Sequence, residues 1–279
     1  MVIKRSPAKV NLHLLVLGRR ENGYHNIVTL MQKISLYDEI EFSPREKGIV
    51  VKCPGAALPE NEDNIVYKAA QSLFSYASCH SGIEITIRKK IPIAAGLGGG
   101  SSNAATALIT LNDMMGFNYS KGELMKIGAK LGADVPFFVF NKTAWATGIG
   151  DQLQTAENVP QLWFVLVNPC FDISTKMVYE NLNLRLTNKV KKFSIPRFNT
   201  VDDVVNKLHN DLEKVTLNLH PILKELKERL IACGALGSLM SGSGPTVFGI
   251  FADKKDALRA EEKLKAGVKW AVFRAHSIN

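Results

Sequence analysis

The sequence predicts an α+β chain arranged in two lobes, and three observations carry that expectation. Strand-like and helix-like segments are grouped rather than strictly alternating. A glycine-rich stretch at 96–100 runs directly into an apolar, helix-periodic segment. The 279 residues suffice for two ordinary domains, and a new series of strand, helices and strands opens near Asn158-Val159-Pro160. The expected division is 1–157 and 158–279.

Residues 8–17, rich in Val and Leu, read as a strand. In 34–42, Ile34, Leu36, Ile40 and Phe42 alternate on one face and only Asp38 breaks the pattern. Residues 49–53 form a further short strand. Asn64 is placed to cap a helix over 65–76, whose Val66, Ala69, Ala70, Leu73 and Phe74 recur at helical spacing. A strand at 82–89 leads to the glycine loop and its helix, which runs to about 115. Ser120, with Glu123 three residues on, has the spacing of a capping box. A strand end is expected at 145–148. In the second half, 162–167, 236–240, 246–251 and 270–273 read as strands, and 174–182, 201–216, 220–232 and 254–264 as helices.

Hydrophobic residues make up 46% of the chain and charged ones 22%, the proportions of a globular protein. No apolar run approaches the roughly 20 residues of a membrane span, and residues 1–7 lack a signal-peptide core. Four scattered cysteines without a C-x-x-C pair suggest reduced thiols in a cytoplasm rather than disulfides or zinc. The net charge of +9 is compatible with nucleic acid, a membrane surface or small polyanions. Its lysines and arginines are dispersed, densest at 189–192, and carry no interleaved aromatics for base stacking. A solvated surface accounts for most of this charge, with phosphate-rich small ligands next.

The segment Pro92-Ile93-Ala94-Ala95-Gly96-Leu97-Gly98-Gly99-Gly100-Ser101-Ser102-Asn103 is the most informative. Its glycines let backbone approach an anion closely. The helix N-terminus that follows offers free N–H groups and a favourable dipole for phosphate. A Walker A loop is excluded because no Gly-Lys-Ser/Thr follows, and G-x-G-x-x-G fails at Ser101.

Three further clusters stand out. In Ser6-Pro7-Ala8-Lys9-Val10-Asn11-Leu12, alternation puts Lys9 and Asn11 on one face, either solvent-exposed or functional. Asp134, in Gly132-Ala133-Asp134-Val135-Pro136, is either a helix N-cap or a partly buried carboxylate held charged by a cation such as Lys9. Ser241-Gly242-Ser243-Gly244-Pro245 is a turn that would complete a phosphate pocket if it faced the first glycine loop.

In this order the segments resemble the GHMP kinase superfamily. Gly23-Tyr24-His25, Thr29-Leu30, Gln32, Tyr37-Asp38, Asp134-Val135-Pro136-Phe137-Phe138 and Asn210-Asp211-Leu212-Glu213 resemble its branch acting on 4-diphosphocytidyl-2-C-methyl-D-erythritol in non-mevalonate isoprenoid synthesis. The likeness runs from Ser6 to about Phe251. It departs at Ala94-Ala95, where further glycine is usual, and at Asp151, where Glu is usual.

The resemblance implies a two-lobed fold with an N-terminal ATP-binding domain, a C-terminal ferredoxin-like domain and the active site in the cleft between. It implies ATP and Mg²⁺ as cofactors, with no metal site made by the protein alone, and phosphoryl transfer to the 2-hydroxyl of the substrate. Asp134 would accept the hydroxyl proton, Lys9 would stabilise developing charge, and Asn11 would orient the acceptor. The glycine segment from Pro92 to Asn103 would hold ATP, with Asn64 and lysines 68, 89 or 90 nearer the adenine. Tyr24, His25 and Tyr179 would hold the cytosine, and Thr175 and Gly242 would contact the substrate. Other readings stay open: a kinase for homoserine or mevalonate, a nucleotide-binding homologue without catalysis, or a basic nucleic-acid-binding domain. Monomer and homodimer are equally compatible with the sequence.

Overall fold

The structure, a computed structural model, describes residues 1–21, 23–182, 196, 198–266 and 269–279. Asn22 and the basic run at 189–192 lie outside the described residues. Two compact units form. The first comprises 1–8, 37–91 and 98–141; the second comprises 9–36, 92–97 and 142–279. Two long strands, β1 (Val2–Arg19) and β2 (His25–Arg45), contribute to both.

In the first unit, β2 pairs antiparallel with β4 (Gly82–Arg88), which pairs parallel with β3 (Ile49–Lys52). The helices are α1 (Ile65–Tyr76), α2 (Gly99–Met114), α3 (Lys121–Ala129) and α4 (Val135–Phe140). Asn64 caps α1 by accepting from the Val66 N–H at 2.8 Å. Ser120 and Glu123 form the expected capping box on α3. Each satisfies N–H groups that the helix itself leaves unpaired.

Asp38, the break in the β2 pattern, is wholly buried on the face that buries Ile40 and Phe42. Its carboxylate pairs with the Lys89 ammonium and accepts from the N–H groups of Lys90 (2.7 Å) and Ile91 (2.9 Å). An acceptor with four lone-pair sites thus fixes the corner where β4 ends and the glycine segment begins.

In the second unit, β2 pairs with β5 (Ala144–Thr147), and β5 with β6 (Gln152–Thr155), an element the sequence did not suggest. The C-terminal sheet has the order β11-β7-β10-β9, all neighbours antiparallel, from β7 (Trp163–Asn168), β9 (Gly237–Met240), β10 (Val247–Phe251) and β11 (Ala271–His276). Helices α8 (Ile222–Ala232) and α9 (Lys254–Lys265) pack on it through Leu223, Leu226, Leu230 and Ala257, Ala260, Leu264. The path β7-α8-β9-β10-α9-β11 is the ferredoxin-like arrangement.

The single helix expected at 201–216 is interrupted. Instead α6 (Val201–Asn206) is followed by the two-residue strand β8 (His209–Asn210) and α7 (Asp211–Leu219). The cause is non-local: β8 pairs parallel with β1, Asn210 opposite Leu14. Asn210 in turn caps α7, its Oδ1 accepting from the Leu212 N–H at 3.0 Å. The short helix α5 (Thr175–Glu180) precedes these elements. No helix among the described residues is long and apolar enough to cross a membrane.

Asp38→Asn should lower unfolding free energy by about 3–5 kcal/mol, because it leaves a buried ammonium without its counter-ion. Urea titration of the single variant and of the Asp38→Asn, Lys89→Met pair checks this. The double variant should lose less than the sum of the two singles.

Candidate active site

Lys9 and Asn11 share a face of β1, as alternation requires, but that face is buried. The Lys9 ammonium donates to Asn11 Oδ1 at 2.6 Å, and Asn11 Nδ2 donates to Thr29 Oγ1 at 2.8 Å. All three side chains lie in the second unit. The solvent-exposed reading of this face therefore fails. Thr29, whose role the spacing does not reveal, completes the relay from the neighbouring strand.

The 92–97 half of the glycine segment lies in the same unit. The Lys9 N–H donates to the Leu97 carbonyl at 3.0 Å. From the second glycine turn, Ser241 Oγ donates to the Gly96 carbonyl at 2.9 Å. Gly96 has φ +75°, and a Cβ there would collide with the Ser241 carbonyl. Gly242 has φ +57°, and a Cβ on it would lie 3.3 Å from Gly96 O and 3.4 Å from Asn11 Oδ1. The two glycine segments therefore face one another, with Asn11 beside them.

Helix α5 is fastened to this turn. Thr175 Oγ1 and Ser243 Oγ are 2.8 Å apart. One turn further on, the Tyr179 ring stacks on His25, with centroids 4.8 Å apart and planes at 27°. Tyr24, beside His25, is 59% exposed. Burial, then the nearby Arg19 charge, push the His25 imidazole below its ordinary value of 6.5. At neutral pH it is uncharged and offers one donor and one acceptor.

The first unit holds the other half of the glycine segment. Gly98 stands at the N-cap of α2 with φ +67°, so no side chain caps the helix and its first N–H groups face outward. Beneath them, Ser6 Oγ donates to Ser102 Oγ at 2.7 Å, both wholly buried. The sequence did not single out Ser6. Asn103 Oδ1 is buried without a hydrogen-bond partner among the described residues. A Cβ on Gly99 would lie 3.1 Å from the Lys89 ammonium, so a cation sits at the start of α2. Asn64 is buried, and its amide spends its bonds on α1 and on the Pro59 carbonyl at 2.7 Å.

Asp134 precedes α4, but its side chain makes no cap hydrogen bond to that helix. The capping role open to it from sequence is not the one it takes. A Cβ on Gly132, two residues earlier, would lie 3.7 Å from Ser101 Oγ, so this segment packs beside the start of α2.

A GHMP kinases N-terminal domain model matches residues 64–142, and a GHMP kinases C-terminal model matches 191–269. A 4-diphosphocytidyl-2-C-methyl-D-erythritol kinase of Syntrophus aciditrophicus is 58% identical over 274 residues, covering 98% of each chain. The chain belongs to the GHMP kinases, in the 4-diphosphocytidyl-2-C-methyl-D-erythritol kinase family. A crystal structure of 4-(cytidine 5'-diphospho)-2C-methyl-D-erythritol kinase superposes with a TM-score of 0.83 at 32% identity, covering 100% of both chains. Homoserine kinase from Cytophaga hutchinsonii superposes with a TM-score of 0.76 at 18% identity, covering 99% of this chain and 94% of its own. That second likeness is one of fold. As a GHMP kinase the chain is an ATP-dependent phosphotransferase.

The glycines of this kinase should separate in the ligand-free protein. Gly96→Ala should melt at lower temperature, because its φ and the Ser241 carbonyl both oppose a side chain. Gly100→Ala should be neutral or slightly stabilising, by up to about 1 kcal/mol, since only Ile65 lies near, at 3.8 Å. Calorimetric scans of both variants check the contrast.

Proposed function

We propose that this kinase moves the γ-phosphoryl group of ATP to the 2-hydroxyl of 4-diphosphocytidyl-2-C-methyl-D-erythritol, giving the 2-phosphate and ADP in non-mevalonate isoprenoid synthesis. The observation that carries the reading is the fastening of α5 to the second glycine turn. Asn11 lies against Gly242 of that turn, and Thr175 joins the same turn to the helix that bears Tyr179 against His25. One rigid turn thereby links a position for the reacting alcohol to an aromatic group for the base. The 58% identical relative named for this activity supports the same substrate.

In the mechanism, Asp134 accepts the proton of the attacking hydroxyl as its oxygen bonds to the γ-phosphorus and the bond to the β-phosphate oxygen breaks, releasing ADP. Lys9 stabilises the charge that develops, and Asn11 orients the acceptor. The N–H groups from Gly98 to Ser101 hold the ATP phosphates, with Pro92, Ala94, Ala95, Leu97, Ser102 and Asn103 shaping the loop and the first turn of α2. Asn64 stands at the adenine side through its backbone and the helix it caps. Tyr24 stacks on the cytosine, and neutral His25 pairs with its edge. Residues 1–157 act as the ATP-binding domain and 158–279 as the partner domain.

Mg²⁺ fits the donors present. It keeps several waters and binds through substrate phosphates plus one or two protein oxygens, of which Ser101 in the first unit would provide one. Bound there, it would neutralise phosphate charge. No group of three or more His, Cys, Asp or Glu is gathered for a metal among the described residues, and a phosphate-held ion needs none. The four free thiols fit a reducing cytoplasm.

A coupled ADP-release assay across the diphosphocytidyl alcohol, free methylerythritol, homoserine and mevalonate tests the reading. Turnover confined to the first is expected; equal use of homoserine or mevalonate overturns it. Asp134→Asn should cut kcat by ~10²–10⁴-fold while ATP affinity measured by calorimetry stays within about twofold. Because burial and the Arg19 charge lower the His25 pKa, the KM for the cytidyl substrate should rise on acidification, as the imidazole gains its charge, and that rise should begin at a lower pH than an ordinary imidazole would give. Steady-state KM measured in half-unit pH steps reads this directly.

A further inference from the structure

The Asn210-Asp211-Leu212-Glu213 segment has no part in the mechanism above, yet it grips the second glycine turn. Asn210 is 6% exposed and uses its whole amide. Its Nδ2 donates to the carbonyls of Met240 and Gly242, each at 2.8 Å, while Oδ1 caps α7. Glu213 accepts from the Met240 N–H at 2.9 Å and pairs with Lys227 at 2.6 Å. Thr216, wholly buried, points its hydroxyl at the Ser243 carbonyl at 3.4 Å. Asp211 accepts from the Val16 N–H of β1 at 2.7 Å. The cap residue 210 and helix residues 213 and 216, three apart, turn the start of α7 toward the turn.

We propose that Asn210 is a positioning residue for the acceptor alcohol: by clamping the Met240 and Gly242 carbonyls it holds the second glycine turn against Asn11. The turn needs such a clamp. Gly242 has φ +57° and no side chain, so nothing of its own fixes its place. A primary amide has two N–H donors on one nitrogen, which suits two carbonyls two residues apart in a tight turn. No hydroxyl supplies both, and a carboxylate supplies neither. The proposal rests on the reading that Asn11 and Gly242 meet the substrate.

Asn210→Ser is the discriminating variant. Serine is as good an N-cap as asparagine, so α7 keeps its start while the clamp on the turn is lost. Steady-state kinetics with ATP and the diphosphocytidyl alcohol, alongside a thermal melt, give the test. The expected result is a folded protein whose kcat/KM for the alcohol falls about ten- to a hundredfold, as a small misplacement of reacting groups costs. Its KM for ATP should stay within about twofold of wild type. Asn210→Thr, also cap-competent, repeats the test if the serine variant does not fold. An equal rise in KM for both substrates, or unchanged kinetics in a folded variant, overturns the positioning role. So does failure of both variants to fold, which makes Asn210 a requirement of the fold. Absence of wild-type turnover on this alcohol overturns the substrate reading and the positioning role together, whereas normal wild-type turnover with an unaffected variant overturns the second alone.

Discussion

The arrangement depends on one close approach of backbone to backbone. At Gly96 and Gly242 two turns far apart in sequence come within contact of each other, and the missing Cβ atoms are what make room. Around that approach the second unit gathers its polar groups. Ser241 bonds across it, Asn11 lies beside it, and Lys9 binds the loop through its N–H and Asn11 through its ammonium. A side chain at Gly96 would displace all of these together, because the atom it meets is main chain and cannot rotate away. The rigidity has a functional use: a phosphoryl-transfer site gains most of its rate from holding groups where charge develops, and flexible donors do that poorly.

Local rules made several elements legible. The capping box at Ser120 and Glu123, the Asn64 cap and the period-2 pairing of Lys9 with Asn11 depend only on near neighbours, and all three are observed. What local rules missed has distant causes. The break between α6 and α7 comes from β8 pairing with β1, almost two hundred positions away in the chain. The burial of Lys9 and Asn11 depends on Thr29 and Leu97, which no spacing relates to them. The short α4 follows Asp134 without using its side chain, so its cap signal pointed to a role that the fold does not assign. The family resemblance supplied roles and singled out the segments holding Thr29, Ser243 and Asn210; the contacts these residues make, and that of Ser6, came from the structure.

The two glycine segments are supported by different physics. The entry to the first rests on a charged group: Asp38 and Lys89 are almost dry and hold the end of β4 by ionic hydrogen bonds. The second turn rests on neutral amide and hydroxyl contacts from α7 and on one partly exposed carboxylate, Glu213. Burying a charge at the first place is costly unless every lone pair is occupied, and here the carboxylate accepts from one ammonium and two backbone amides. Neutral contacts at the second bring little charge of their own to the turn.

The buried carboxylate also restricts how the gene can change. Position 38 faces three donors, so an uncharged replacement leaves a cation dry and alone, and an amide there can turn a donor toward other donors. Position 89 is bound in the same way, since a neutral residue there strands the acid. An exchange of the pair therefore has to pass through an intermediate worse than either end, and even then the amides of Lys90 and Ile91 continue to demand an acceptor. Change at these two positions is restricted by the pairing that fixes the corner where β4 ends. Sequence constancy there would report on the corner that aims the loop, and would be misread as evidence of catalysis.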